Sequence, residues 1–305
     1  MTTADVRPAV LVFPGGGYQF CSDREAEPVA LAYLAHGFNA FVLRYSVGSD
    51  MCWERSFEDA IAALQYLRKH FRELHIAENQ IAVVGFSAGG HLASALGTMS
   101  EEKPDALILG YAVTLEEMGA GCGKAIPDTC IHVMEDTPNT FLFATSDDNV
   151  VPVINTLRFA EALAEQDIHF ELHVYPVGEH GFSLGTAAVA NNAPGAVNPD
   201  AQSWLPDSVR FLHHVFGDFP VGGCAQSGDM PDYRTASLDV PLKHLLKREI
   251  CVKAIESVLP GVPAMAQKTP MTLGLSFRQL AVYSPELITP EKLEQLKMAF
   301  RSCNE

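Results

Sequence analysis

The amino-acid sequence predicts an α/β protein with a mostly parallel sheet and helices on both faces, followed by a small helical module. Three observations predict it. Apolar runs of strand length alternate with amphipathic stretches of helix length, the pattern of βαβ units. The residues that carry chemistry all follow strand ends, as they do on the carboxyl edge of an open α/β sheet. Beyond Gly217 the alternation stops and helical spacing alone continues.

The first apolar run, Ala9-Val10-Leu11-Val12-Phe13, reads as a strand entering the glycine-rich loop Pro14-Gly15-Gly16-Gly17-Tyr18. Glycines there let bare backbone N–H groups turn toward an oxyanion. Further strands are expected near 40–45, 81–84, 106–112, 140–145 and 169–175, and helices over 25–36, 53–72, 88–99, 150–166 and 203–216. Two long connections interrupt the pattern. Val113–Asn139, rich in Gly, Pro, Thr and charge, reads as a short cap or mobile loop over the carboxyl ends of the strands and a source of pocket walls. Leu184–Ala201, with Asn191-Asn192-Ala193-Pro194-Gly195, follows the segment Gly178-Glu179-His180-Gly181 and reads as a loop flanking the same edge.

Val221–Asp229 reads as a linker. The predicted division is a catalytic domain over 1–218, a linker over 219–237 and a helical module over 238–305. In the module Leu242, Leu245, Leu246, Ile250 and Ile255 recur at helical spacing, while Ser284-Pro285 and Thr289-Pro290-Glu291 mark a break and a start. No catalytic constellation is visible there, so the module is expected to pack on the first domain or to mediate self-association.

The pentapeptide Gly85-Phe86-Ser87-Ala88-Gly89 stands between the apolar run Ile81–Val84 and the helix-like stretch His91–Met99. That placement is a nucleophile elbow, where small neighbours permit a sharp strand-to-helix turn with serine at its tip. A phosphate-holding helix N-terminus is the alternative, but no lysine follows as in a P-loop. Serine needs a base within hydrogen-bond reach. His180, in Gly178-Glu179-His180-Gly181 after a predicted strand, is the candidate. His91 is read as packing beneath the elbow. Asp147 and Asp148 end another strand, and either suits orientation of the imidazole or capping of a helix beginning near Val150. The order Ser, Asp, His is that of α/β-hydrolases rather than of chymotrypsin or subtilisin.

On these segments, with Phe41-Val42-Leu43-Arg44-Tyr45 and Asp148-Asn149-Val150-Val151-Pro152, residues 8–216 resemble the α/β-hydrolase esterases related to bacterial acetylxylan esterases and the hormone-sensitive-lipase group. The resemblance implies that Asp148, which opens a D-x-x-V-P turn, is the acid. It implies a Ser87–His180–Asp148 triad, an oxyanion hole from Ala88 and Gly16 or Gly17, and substrate contact by Tyr18. Proline stands where the lipase group often has histidine before the glycine-rich loop, which moves the match toward the acetylesterase side. The implied activity is hydrolysis of short-chain, above all acetyl, esters of plant-type oligosaccharides, without metal or organic cofactor. A broad carboxylesterase, a feruloyl esterase and a non-catalytic binding protein on the same scaffold are the alternatives. A polar rim of Gln19, Ser22, Asp23 and Asn191-Asn192 is expected to meet the sugar.

Composition narrows the partners. The 305 residues are 48% hydrophobic with a net charge of −16, so the chain presents no electrostatic footprint for nucleic acid or anionic membrane. A neutral or cationic small molecule or oligosaccharide ester is the expected substrate. No stretch reaches membrane-spanning length, the start Met-Thr-Thr-Ala-Asp lacks a signal-peptide pattern, and the seven cysteines are scattered. A cytoplasmic address with reduced thiols is expected. Cys122, Cys130 and His132 match no zinc spacing.

Overall fold

The computed structural model describes residues 6–48, 52–219 and 227–304. It divides into two compact units, Met1–Asp229 and Met230–Glu305.

The first unit is built on six strands: β1 (Arg7–Phe13), β2 (Asn39–Val42), β3 (Ile76–Phe86), β4 (Ala106–Gly110), β5 (Thr140–Thr145) and β6 (Phe170–Tyr175). They lie in the order β2-β1-β3-β4-β5-β6, every pair parallel. The central strands are buried on both faces, which is why Val10–Phe13, Ile81–Val84 and Ala106–Leu109 read as continuous apolar runs rather than alternating ones. Connections run through α1 (Glu27–Ala35), α2 (Trp53–Lys69), α3 (Ala88–Met99), α5 (Ile154–Glu165) and α6 (Trp204–Phe216). Each expected strand and helix is present with small shifts of its ends. The helix expected from 150 begins at Ile154, because Asp148 first closes a tight turn with Val150 and Val151, and the strand expected from 81 already begins at Ile76.

Two helices show how differently the chain covers the sheet. Helix α2 is amphipathic: Ala60, Leu64 and Leu67 are buried at helical spacing, while Arg55, Glu58 and Gln65 face solvent. Helix α3 is buried on nearly all sides, from Ala88 through Thr98. Small residues on α3 let it lie close against the strands. Burial of its Leu92 and Leu96 contributes about 1.5–3 kcal/mol each.

The expected cap over Val113–Asn139 contains only α4 (Met118–Cys122) and a short 3-10 turn at Cys130–His132. It is pinned rather than loose. The Asn155 side chain accepts from the N–H groups of Thr114 and Leu115 at 3.1 and 3.2 Å, and Thr129 N donates to the Thr114 carbonyl at 2.9 Å.

The second unit comprises α7 (Leu242–Leu245), α8 (Glu249–Val258), α9 (Val262–Gln267), α10 (Pro270–Leu273), α11 (Phe277–Tyr283) and α12 (Pro290–Ala299). Its core gathers Leu242, Leu245, Ile255, Phe277, Leu296 and Phe300. Ser276 and Gln279 form a reciprocal capping box at the start of α11, and Thr289 caps α12 ahead of Pro290. The unit begins before residue 238: Ala236 is buried, and its backbone exchanges hydrogen bonds with the Asn304 side chain at 2.8 and 3.0 Å. Residues 220–226 of the expected linker lie outside the described residues. Among the described residues no helix is long and apolar enough to cross a membrane.

Candidate active site

Ser87 sits between β3 and α3 with φ 52° and ψ −119°, a backbone conformation that costs an ordinary residue about 1–3 kcal/mol and persists only where packing enforces it. The enforcement is visible. A Cβ on Gly85 would stand 2.3 Å from the Gly89 carbonyl, and one on Gly89 would stand 2.2 Å from the Phe13 carbonyl. Helix, turn and strand therefore approach closely only because both positions are glycine. Ser87 N donates to the Gly110 carbonyl at 3.1 Å, and its carbonyl accepts from Val113 N and His91 N.

The structure brings Ser87, His180 and Asp148 into one hydrogen-bonded line. His180 Nε2 lies 2.9 Å from Ser87 Oγ, and Nδ1 lies 2.7 Å from Asp148 Oδ2. The other Asp148 oxygen accepts from Val150 N and Val151 N, both at 2.9 Å. One carboxylate thus both closes its own turn and holds the imidazole. Asp147 does neither; its Oδ1 accepts from Gly178 N at 2.8 Å and so ties the β5 turn to the loop after β6. That loop is held from several sides: Thr145 Oγ1 donates to the Gly178 carbonyl at 2.7 Å, Asn198 Nδ2 to the Val177 carbonyl at 2.7 Å, and Trp204 Nε1 to the Ser183 carbonyl at 2.9 Å. Below it Phe143 and Trp204 stack with centroids 4.5 Å apart.

Ala88 is the first residue of α3, so its N–H is one of the helix's free N-terminal donors. Gly16 and Gly17, at φ 128° and 60°, line the same cavity, and their amides enter none of the loop hydrogen bonds among the described residues. Gly15 differs, because its N–H is taken by Glu25 Oε2 at 2.8 Å.

A cavity of about 500 Å³ opens over Ser87 and His180. Val113, Met118, Val150 and Val151 supply apolar wall, with Phe20 and Cys21; Ser22, Asp23, Arg24, Glu25 and Asn191 supply polar groups. The expected walls from Val113–Asn139 are thus present, as is part of the expected rim. Gln19 and Asn192 do not line the cavity.

Tyr18 requires a correction. Expected to meet substrate, it is 2% exposed and does not line the cavity; its hydroxyl lies 2.7 Å from His91 Nδ1. The other His91 nitrogen, Nε2, faces the Pro127 carbonyl at 3.0 Å, so Nε2 donates there and Nδ1 accepts from the Tyr18 hydroxyl. The positive φ of 59° at Tyr18 swings the ring under the elbow rather than over it. Burial pushes the His91 pKa down to about 4, so it is a neutral packing group near neutral pH.

Glu25 and Tyr111 were not singled out from the sequence. Glu25 is 3% exposed and accepts from Gly15 N and, at 2.6 Å, from the Tyr111 hydroxyl. Burial, and after it the Glu25 charge, pushes the Tyr111 phenol well above its usual pKa and keeps it a donor. The available signal was an acidic residue in Ser22-Asp23-Arg24-Glu25, immediately after a loop that must be held still. Cys130 and His132 take part in no cluster able to hold a metal among the described residues; the Cys122 side chain lies outside them.

The BD-FAE family model matches residues 1–120, and the prolyl oligopeptidase family model matches residues 126–193, the stretch containing Asp148 and His180. Among solved structures, MGS-M1, an alpha/beta hydrolase enzyme from a Medee basin deep-sea metagenome library, is 45% identical with a TM-score of 0.65, covering 68% of this chain and 84% of that one. An acetyl ester-xyloside bifunctional hydrolase from Caldicellulosiruptor lactoaceticus is 32% identical with a TM-score of 0.61, over 70% of this chain and 85% of that one. An acetylxylan esterase of Xylanibacter ruminicola is 28% identical over 202 residues, 58% of this chain and 42% of the relative. This chain spans less than half the length of the curated relatives it matches.

Proposed function

Because this chain belongs to the α/β-hydrolase esterase family, we propose that it hydrolyses short-chain, above all acetyl, esters of plant-type oligosaccharides through an acyl-enzyme on Ser87. The observation that carries the reading is the line Ser87 Oγ, His180, Asp148, at 2.9 and 2.7 Å, beside the amides of Gly16 and Gly17, which enter no loop hydrogen bond among the described residues. His180 Nε2 takes the Ser87 proton as Oγ attacks the ester carbonyl. Asp148 holds the proton on Nδ1 and stabilises the imidazolium that forms. The N–H groups of Ala88 and of Gly16 or Gly17 receive the oxyanion. His180 then returns the proton to the leaving alcohol, and water repeats the sequence to release the acid.

The acetyl preference is supported by the size of the walls. Each added methylene must find buried contact worth about 0.8 kcal/mol to be favoured. Phe20, Val113, Met118, Val150 and Val151 line the apolar side, and the segment Val113–Asn139 adds only the short helix α4 and a 3-10 turn. The polar groups of Ser22, Asp23, Arg24 and Asn191 are suited to hydroxyl-rich alcohols. The relatives named for acetylxylan and acetyl ester-xyloside activity support the same assignment. The test compares kcat/KM for acetyl, butyryl and octanoyl esters and measures acetate released from acetylated xylo-oligosaccharides. Acetyl preference with acetate release is expected, and Ser87→Ala should lower turnover on the order of 10⁴-fold or more. Octanoyl preference without acetate release would replace this reading with a lipase-like carboxylesterase.

A further inference from the structure

Glu25 is a carboxylate buried at the wall of the cavity, and both of its oxygens are engaged by parts of the site that must stay in register. Oε2 accepts from Gly15 N at 2.8 Å and Oε1 from the Tyr111 hydroxyl at 2.6 Å. A Cβ on Gly15 would stand 2.7 Å from Oε2, so the carboxylate lies hard against the loop backbone. The Tyr111 hydroxyl also accepts from Ser183 N at 3.0 Å, and its ring meets the His180 ring edge-on at 5.0 Å. Ser183 Oγ closes the circuit by donating to the Arg24 carbonyl at 2.5 Å. Among the described residues Glu25 has no ion-pair partner within salt-bridge distance. A buried carboxylate is costly unless hydrogen bonds compensate it. Here they come from the glycine-rich loop and from Tyr111 after β4, whose hydroxyl in turn accepts from the histidine loop.

We propose that Glu25 is a positioning residue for the oxyanion hole: by gripping Gly15 it fixes the peptide planes of Gly16 and Gly17, and through Tyr111 it holds the His180 loop in the same frame. The inference rests on the serine-esterase reading above. Oxyanion donors act when aimed at where charge develops, and a displacement of about 1 Å costs on the order of 10²-fold. The neutral ester carbonyl leans on these donors less than the tetrahedral intermediate does. Loosening them therefore lowers kcat more than it raises KM.

Glu25→Gln tests this. Its oxygen can take the Gly15 N–H, which turns its NH₂ toward the Tyr111 hydroxyl; that hydroxyl already accepts from Ser183 N and loses the acceptor of its own proton. With p-nitrophenyl acetate, kcat should fall about 10- to 100-fold with KM within about threefold. Affinity for phenylboronic acid, which forms a tetrahedral adduct on the serine, should fall by a similar factor. Tyr111→Phe removes one anchor and should lose less. The double variant should lose less than the product of the two, because both act through one network. If Glu25→Gln does not fold, Tyr111→Phe and the boronate titration decide alone. Unchanged kcat, a rise confined to KM, or unchanged boronate affinity in a folded variant overturns the assignment. A wild type inert toward every ester tested overturns the esterase reading, and this inference with it; an active wild type matched by Glu25→Gln overturns this inference alone.

Discussion

At the residue scale, the two adjacent aspartates separate by what each oxygen touches. In Asp148→Asn, an amide NH₂ must face either His180 Nδ1 or the two N–H groups of the turn, so the imidazole tautomer or the turn is lost. Turnover should drop about 10⁴-fold, the magnitude of the corresponding change in the serine-protease triad. Asp147→Asn keeps an oxygen for Gly178 N and should stay within about threefold, since an exposed amide-to-amide hydrogen bond replaces an exposed one to a carboxylate. Steady-state kinetics on one ester decide it; reversed ranks would move the acid to Asp147. His91 makes a pH prediction of a different kind. Its folded-state pKa of about 4 lies below its ordinary value of 6.5 because burial disfavours the charged form. Between those values the unfolded chain binds a proton that the folded one does not. The contribution is complete above about pH 6.5 and is lost as pH falls toward about 4, up to about 3 kcal/mol. Both tryptophans, Trp53 and Trp204, lie in the first unit, so their fluorescence reports its unfolding. The urea midpoint should fall more steeply from pH 7 to pH 4.5 in wild type than in His91→Gln. Parallel slopes would show that His91 is not the group responsible.

At the scale of elements, the elbow depends on contact between β1, β3 and α3 more than on intrinsic helix preference. Helix α3 carries Gly89, Gly90 and Gly97, each unfavourable in a helix by up to about 1 kcal/mol relative to Ala. Propensity alone would therefore favour Gly89→Ala. The structure reverses the sign: the new Cβ would meet the Phe13 carbonyl at 2.2 Å and the Pro14 carbonyl at 2.4 Å, backbone atoms that cannot swing aside. Gly89→Ala should cost about 3 kcal/mol or more and abolish turnover, because Ser87 and Ala88 move with the helix. Gly274→Ala, whose Cβ would find only the Met271 carbonyl at 3.6 Å, should leave both thermal unfolding and turnover nearly unchanged. Equal behaviour of the two variants would refute the close-packing account.

At the scale of the whole molecule, every residue placed at the site lies in Met1–Asp229, and Met230–Glu305 has a core of its own. A chain ending at Asp229 should therefore keep kcat/KM within a factor of about three, since a unit with its own core folds and works independently. A larger loss, in protein shown to be folded by tryptophan fluorescence, would show that the second unit takes part in catalysis. The charge of −16 belongs to the same scale, disfavouring polyanions without dictating what a single pocket group such as Arg24 meets.

Much of the fold and of the site was legible in the chain because the signals are local. Strand-length apolar runs, the small residues around Ser87, and the turns at Asp148 and His180 are each required by backbone geometry within a few residues. Their order along the chain, with parallel connections, also fixed that they meet at one sheet edge. Tertiary structure alone decided which way side chains turned and what they touched. Tyr18 follows the glycine-rich loop in sequence, yet a positive φ and a buried partner, His91, take it away from the cavity. Glu25 looks like one acid among several in a polar turn. Its importance comes from Gly15, Tyr111 and the histidine loop, brought from 10 residues away in one case and 86 in another. No local pattern encodes such a meeting, because hydrogen bonding between distant segments depends on the packed sheet that delivers them.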